Sequence, residues 1–424
     1  MRINNVALAD GRIVDIVIKG TKITKIENPS SQGDIDGTGL VALPGGIDTH
    51  VHSRSPGAEH KEDWPHLNLA ALKGGVTTVC TVGNNLPFMI SLQALLDQRE
   101  VIKAAEVKIN VFHWLVATSD NLSEIKLALQ EPDVPGVKVF LGSAPEKILV
   151  TNENVLCQIA LECRKSSKIL AVHPECESLM IANRRALGRA PTVADHARIH
   201  NTETEVWEVR RMIRVVSKTR CPIYLFHLST PEAINLAQNA KFAGLPVYIQ
   251  TCPHYFMFNE ERLRGNGAGF FKINPALRTA EQAKKVLEYV RMGFVDSVDT
   301  DHAPHDEDEK QRMGYDSVPS GAPGIEERLP ILLNLVSRGK LAIEQVARLF
   351  SINAARILGL ATKGKIKPGY DADLVLVDMN KTRTFSNETA ASKCGWTLYR
   401  GLTMRGIPQI TIVAGQVAWS EKLI

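Results

Sequence analysis

The sequence predicts an α/β protein. Its main body is a (β/α)8 TIM-like barrel over residues 44–363, and a small β-sandwich domain is built from both chain termini, residues 1–43 and 364–424. Three observations lead there. Eight short apolar runs alternate with stretches that permit helices; both ends of the chain carry alternating, strand-like segments; and the polar residues inside the runs gather at their C-terminal ends. A chain of 424 residues can bury a core of that size.

At the amino end, Ile13–Ile18 alternates apolar and polar residues, Gly20 turns the chain, and Lys22–Ile26 alternates again. A hairpin this small is not stable alone. Ala372–Asp378 and Gln409–Val417 have the same pattern and supply the partner strands, so the termini are expected to combine. The eight runs between them are Gly46–His52, Val76–Val82, Ile109–Val116, Val137–Leu141, Ile169–His173, Ile223–Leu228, Val247–Cys252 and Val295–Asp301. Asn152–Ser166 and Thr230–Ala243 have helical spacing, and Ser229-Thr-Pro-Glu-Ala is a helix start, with a capping residue before Pro231. In a barrel of this kind the site lies at the C-terminal ends of the strands.

The net charge of +4 is spread over scattered lysines and arginines, which speaks against nucleic acid or a membrane surface as partner and for a small molecule. No apolar run approaches the roughly 18 residues of a membrane span, and the first residues lack a basic segment followed by an apolar one, so the cytoplasm is the expected location. The seven cysteines are odd in number and contain no Cys-x-x-Cys, which argues against a disulfide framework or a zinc ribbon.

His50 and His52 stand two apart on a predicted strand and therefore share a face, where two imidazoles can grip one metal ion if other segments complete the ligand set. Arg54 continues the alternation and offers a planar fork suited to a carboxylate. A lone histidine or buried aspartate usually just satisfies a core hydrogen bond. Here His50, His52, Lys138, His173, His227 and Asp301 all fall late in five predicted strands, and that coincidence points to a metal centre. Lys138 is the least obvious member: apolar neighbours flank it, and on its own it reads as a lysine whose head escapes to solvent.

Gly-Ile-Asp-Thr-His50-Val-His52-Ser-Arg54-Ser-Pro-Gly, Gly-Val-Lys138-Val-Phe, Ala-Val-His173-Pro-Glu, Leu-Phe-His227-Leu-Ser and Asp299-Thr-Asp301-His-Ala-Pro-His305 together resemble the motifs of the amidohydrolase superfamily and, within it, of the dihydroorotases, over almost the full chain. The resemblance implies two zinc ions per subunit held by His50, His52, His173, His227 and Asp301, with carbon dioxide taken up by Lys138 as a bridging carbamate. It implies that Arg54, His305 and Asn84 bind a substrate carboxylate, that Asn274 contacts the ring, and that Pro323 and Gly324 lie in a loop whose backbone lines the pocket. Gly83 stands where the family's Met-Pro-Asn-Thr motif has proline, which leaves Asn84 and Asn85 to be told apart. The implied reaction is the reversible cyclisation of N-carbamoyl-L-aspartate to L-dihydroorotate and water in pyrimidine synthesis. It would use a zinc-bridged hydroxide, with Asp301 as general acid and base. A homodimer and association with a transcarbamoylase are implied in the same way.

Two other readings compete. Hydantoinases, dihydropyrimidinases and allantoinases share the metals and the barrel, but they would leave Arg54 and His305 without a carboxylate. A non-catalytic scaffold relative would be expected to have lost metal ligands, all of which are present. His254 reads as a supporting or packing residue and His302 as a structural one facing away from Asp301; His60, His66, His113, His196 and His200 carry no comparable signal. The polar, Gly/Pro-rich stretch 306–322 is a candidate mobile lid.

Overall fold

The computed structural model describes residues 1–30 and 32–421. The chain opens with β1 (Arg2–Leu8), β2 (Ile13–Lys19), β3 (Lys22–Glu27), β4 (Ile35–Asp36) and β5 (Val41–Pro44). β1, β2 and β3 pair antiparallel through a turn at Gly20, whose φ of 56° a glycine adopts without strain. β5 pairs parallel to β1, and one residue later the chain enters the barrel.

The barrel strands are β6 (Gly46–Val51), β7 (Val76–Val82), β8 (Asn110–Val116), β9 (Gly136–Phe140), β10 (Ile169–His173), β11 (Ile223–Leu225), β12 (Val247–Thr251) and β13 (Ser297–Val298). Each pairs parallel with the next in sequence order. Helices between them lie where their start signals put them. Asn152 caps the helix Glu153–Lys165 by accepting from Asn154 N, and Thr230 caps Pro231–Phe242 by accepting from Ala233 N, with Pro231 in the first turn.

β13 is only two residues long, shorter than the run Val295–Asp301 suggests, because its aspartates are used sideways. Asp299 accepts from Thr49 N at 3.2 Å and from Thr49 Oγ1 at 2.9 Å, while Asp48 accepts from Thr300 Oγ1 at 2.7 Å. The fully buried Arg328 lies between the two carboxylates, 3.6 Å from Asp48 and 3.2 Å from Asp299. Main-chain contact follows at the top, where His52 N donates to His302 O at 2.8 Å. A side-chain seam thus joins the first and eighth strands directly beneath His50 and Asp301.

After the barrel, β14 (Leu374–Thr384) pairs antiparallel with β5, and β15 (Thr403–Val413) and β16 (Gln416–Ser420) follow. Both termini therefore enter one continuous eight-stranded sheet. It curls over itself: the β15–β16 turn at Gly415 packs on the backbone of Gly20, and Ile16, Ile18, Leu374 and Leu376 share one buried core. The run Gln409–Val417 is two strands rather than one, since Ala414 and Gly415, at φ 48° and 77°, make a two-residue hairpin loop. The cysteines are all free thiols, and no helix among the described residues is long and apolar enough to cross a membrane.

Candidate active site

One cavity at the C-terminal ends of the barrel strands is lined by His50, His52, Arg54, Asn84, Phe140, Ser143, His173, His227, Asn274, Asp301, Ala303, Ser320 and Gly321. Arg54, Ser143, His227 and Asp301 have φ of 59°, 58°, 41° and 47°. Non-glycine residues avoid this left-handed region, and its recurrence around one cavity marks backbone bent to aim side chains inward.

The ring nitrogens show what the cavity is built to hold. His52 Nδ1 lies 2.7 Å from Asn84 Oδ1, and its Nε2 lies 3.0 Å from Asp301 Oδ1. Burial keeps the His52 imidazole below its ordinary pKa, hence neutral, with one N–H to give. Once that N–H goes to Asn84, a lone pair on Nε2 faces a carboxylate oxygen. His50 Nε2 meets the same Oδ1 at 3.2 Å, while its Nδ1 is buried without a partner. On the other side, His173 donates from Nε2 to Glu175 Oε2 at 3.0 Å, which turns its Nδ1 lone pair toward His227 Nε2 at 2.9 Å. Converging lone pairs of this kind fit divalent cations, and the donor atoms of His50, His227 and Asp301 lie within 4.8 Å of one another.

Lys138 sits in the middle of β9, fully buried, and its Nζ has no hydrogen-bond partner. The nitrogen lies 4.0 Å from the centre of the Phe226 ring and 5.1 Å from that of Phe140. Burial drives its pKa well below that of an ordinary lysine. Its head does not escape to solvent, and burial favours the neutral amine, the form that adds to carbon dioxide.

Arg54 lines the cavity, and His305, buried and not among the lining residues, stands behind it. Arg54 donates from Nε to Pro304 O at 3.0 Å, and its Nη2 lies 3.0 Å from His305 Nε2. Asn84 lines the cavity, whereas Asn85 is turned away, donating to Ser53 Oγ and Ser55 O. Asn274 lines it too, with Oδ1 buried and unpartnered. Pro323 and Gly324 are not among the lining residues: Gly324 N donates to His302 Nδ1 at 3.2 Å, and Ser320 and Gly321 form that wall instead.

The sequence reading missed one support, Glu175. Glu175 accepts from His173, from His200 Nδ1 at 2.9 Å and from Ser143 Oγ at 2.8 Å, so it fixes the His173 tautomer, while against the cost of burial the His200 and His173 contacts hold its carboxyl well below the usual range and keep it ionised. The His173-Pro-Glu175 spacing, two residues apart past a strand end, was the available signal. His302 is buried and points away from Asp301, with Nε2 3.2 Å from Glu62 Oε2. His254 is buried beside Tyr255, with its pKa lowered by burial to about 4.

The candidate lid is firmly tethered. Lys310 Nζ donates to Lys272 O, Pro319 O and Gly321 O at 3.0, 2.8 and 2.8 Å, and Lys272 Nζ donates to Tyr315 O and Val318 O, both at 2.6 Å. Arg184 grips Asp316 with two bonds. Of this segment, Ser320 and Gly321 line the cavity.

A model of the amidohydrolase family matches residues 41–418. The chain is 31% identical to a dihydroorotase of Geobacter metallireducens, over 96% of either chain. It is 32% identical to a dihydroorotase of Halobacterium salinarum, over 98% of this chain and 96% of that protein. Among solved structures it resembles the L-hydantoinase (dihydropyrimidinase) of Arthrobacter aurescens, with a TM-score of 0.94 at 23% identity over 99% of this chain and 96% of that one. The D-hydantoinase of a Thermus species aligns with a TM-score of 0.88 at 27% identity, over 99% and 95% of the two chains.

Proposed function

The chain belongs to the amidohydrolase family, and on that footing we propose that it is a dihydroorotase, interconverting N-carbamoyl-L-aspartate and L-dihydroorotate. The observation that carries the reading is Arg54, which lines the cavity that holds the proposed metal ligands and has His305 Nε2 3.0 Å behind its Nη2. A guanidinium beside an imidazole suits a carboxylate carried on the ring.

His50, His52 and Asp301 would hold one zinc ion and His173 and His227 the other, with Lys138 as a carbamate between them; the lone-pair geometry and the unpartnered neutral amine both support this assignment. When bound, the ions would acidify a water to near neutrality and polarise the carbonyl under attack. Asp301, as a carboxylate, would accept the proton released there and then hand it to the ring nitrogen as the amide bond breaks. Run backwards, it takes that proton as the ring closes. Asn274 Oδ1, lacking any protein partner, is an acceptor for a ring N–H. Arg54 and the rim around His305 fix the substrate by its carboxylate, so that the scissile amide lies over Asp301.

The fold likeness favours a second reading, a hydantoinase or dihydropyrimidinase. Those rings carry no carboxylate and would leave the cationic rim unpaired. Dihydroorotate, hydantoin, dihydrouracil and allantoin should be assayed side by side on one preparation of known metal content. Dihydroorotate is expected to be the best substrate, with about two zinc ions per chain. Faster turnover of dihydrouracil or hydantoin would overturn the assignment.

A further inference from the structure

We propose that a second cavity, separate from the substrate site, binds a nucleoside monophosphate and is a regulatory site. Aromatic rings would take the base, Arg262 and Arg400 the phosphate, and Glu307 an N–H of the base. The cavity has a volume of about 310 Å³ and lies where the connection between β14 and β15 meets segment 258–271 of the barrel. It shares no lining residue with the substrate cavity. Ligand sites favour such seams between two parts of a fold, and volumes from about 300 Å³ upward hold a small molecule.

The walls are aromatic. Phe270 and Phe271 are only half-buried, and each meets another ring of the lining edge-on: Phe270 meets Trp396 with centroids 4.9 Å apart, and Phe271 meets Phe258 at 5.2 Å. Half-buried rings braced in this way offer a platform on which a planar base stacks, whichever base it is.

The charged groups are free to serve a ligand. The Arg262 guanidinium is held over two of the rings, 5.6 Å from the centre of Phe258 and 5.4 Å from that of Phe271. Arg400 lines the same cavity, and among the described residues neither guanidinium has an ion-pair or hydrogen-bond partner. Two planar forks in one cavity suit a phosphate, which can accept from both. Glu307 is the carboxylate of the lining and pairs with neither arginine; it can only accept, which calls for an N–H on the ligand. Inorganic phosphate would engage the arginines and leave the rings and Glu307 idle, whereas a nucleoside monophosphate uses all three features.

The back wall leads to the substrate site. Trp396 is buried, packs on Phe270, and donates from Nε1 to His305 O at 2.7 Å, and His305 stands behind Arg54. A base stacked on Phe270 therefore has a path through Trp396 to the residue that supports Arg54.

Calorimetric titration of the zinc-loaded full chain with AMP and with UMP tests the site. One-to-one binding of at least one of them is expected, with Arg262→Gln and Arg400→Gln each weakening it about tenfold or more, as for a lost charge-assisted bond. Both arginines are exposed, so the variants should fold as the parent does. Ribose 5-phosphate, which lacks the base, and the nucleoside, which lacks the phosphate, should each bind about tenfold more weakly or worse. Bound nucleotide should shift KM for dihydroorotate by about fivefold or more in the wild type and leave it unchanged in Arg262→Gln. No heat of binding at millimolar nucleotide, equal binding of ribose 5-phosphate, or binding that survives both arginine substitutions and is lost in Arg54→Met overturns the site. Binding at unchanged KM overturns the regulatory role. Protein that binds nucleotide but does not turn over dihydroorotate overturns the functional reading and leaves the second site standing.

Discussion

Lys138 is a buried amine with nothing to bond to, and proteins rarely keep such a group unless it does chemistry. An unsatisfied buried polar atom costs about 1–3 kcal/mol, and methionine fills nearly the same volume without one. Metal-free Lys138→Met should therefore match or exceed the metal-free parent in urea denaturation. Its metal affinity should fall by more than the roughly 100-fold associated with outer ligand contacts, and hydrolysis should fall with it. Full zinc content and turnover in that variant would rule out a bridging role. At the same scale, the proposed metal-binding side chains were legible because strand periodicity places them at strand ends. Asn84 could not be separated from Asn85 until the backbone turned one inward.

Between β6 and β13, carboxylates and a buried guanidinium replace a ladder of main-chain bonds. Arg328 also donates to Ile47 O and Phe350 O, each at 3.0 Å, so it joins the seam to the chain that leads back to the small sheet. Removing one partner from a buried ion network leaves the others unpaired. Arg328→Met is expected to cost about 3–5 kcal/mol in chemical denaturation and to weaken zinc binding, since the seam lies beneath His50 and Asp301. A loss under about 1 kcal/mol would mean the seam is not what closes the barrel. The order of the strands was readable from sequence, as was the joining of the termini. The short eighth strand was not, because aspartates that accept from a neighbouring strand look the same in sequence as aspartates that accept within a loop.

Across the whole molecule, the sheet made by the termini also reaches the site. The connection between β14 and β15 crosses to the rim, where Trp396 Nε1 donates to His305 O at 2.7 Å and Lys393 Nζ donates to Asp63 at 2.6 Å. Stability of the assembled protein should depend on pH through its buried histidines. His113 and His254 are lowered by burial to about 4 and His196 falls well below its ordinary value. Unfolded, each titrates near 6.5, so the unfolded chain binds protons that the folded one refuses. Metal-free protein should hold full stability above about pH 6.5 and lose roughly 1.4 kcal/mol per pH unit for each such histidine as the pH falls toward their folded values. Urea midpoints that do not change between pH 7 and 5 would contradict this. The central claim, that a metal-ready barrel has been made selective for a ring carboxylate by Arg54, is tested most directly by kcat/KM of the wild type and Arg54→Met on dihydroorotate and dihydrouracil. The variant should lose about 100-fold on dihydroorotate and nothing on dihydrouracil, as expected for a lost charge-assisted contact; an Arg54→Met enzyme that hydrolyses dihydroorotate as well as its parent would contradict the account.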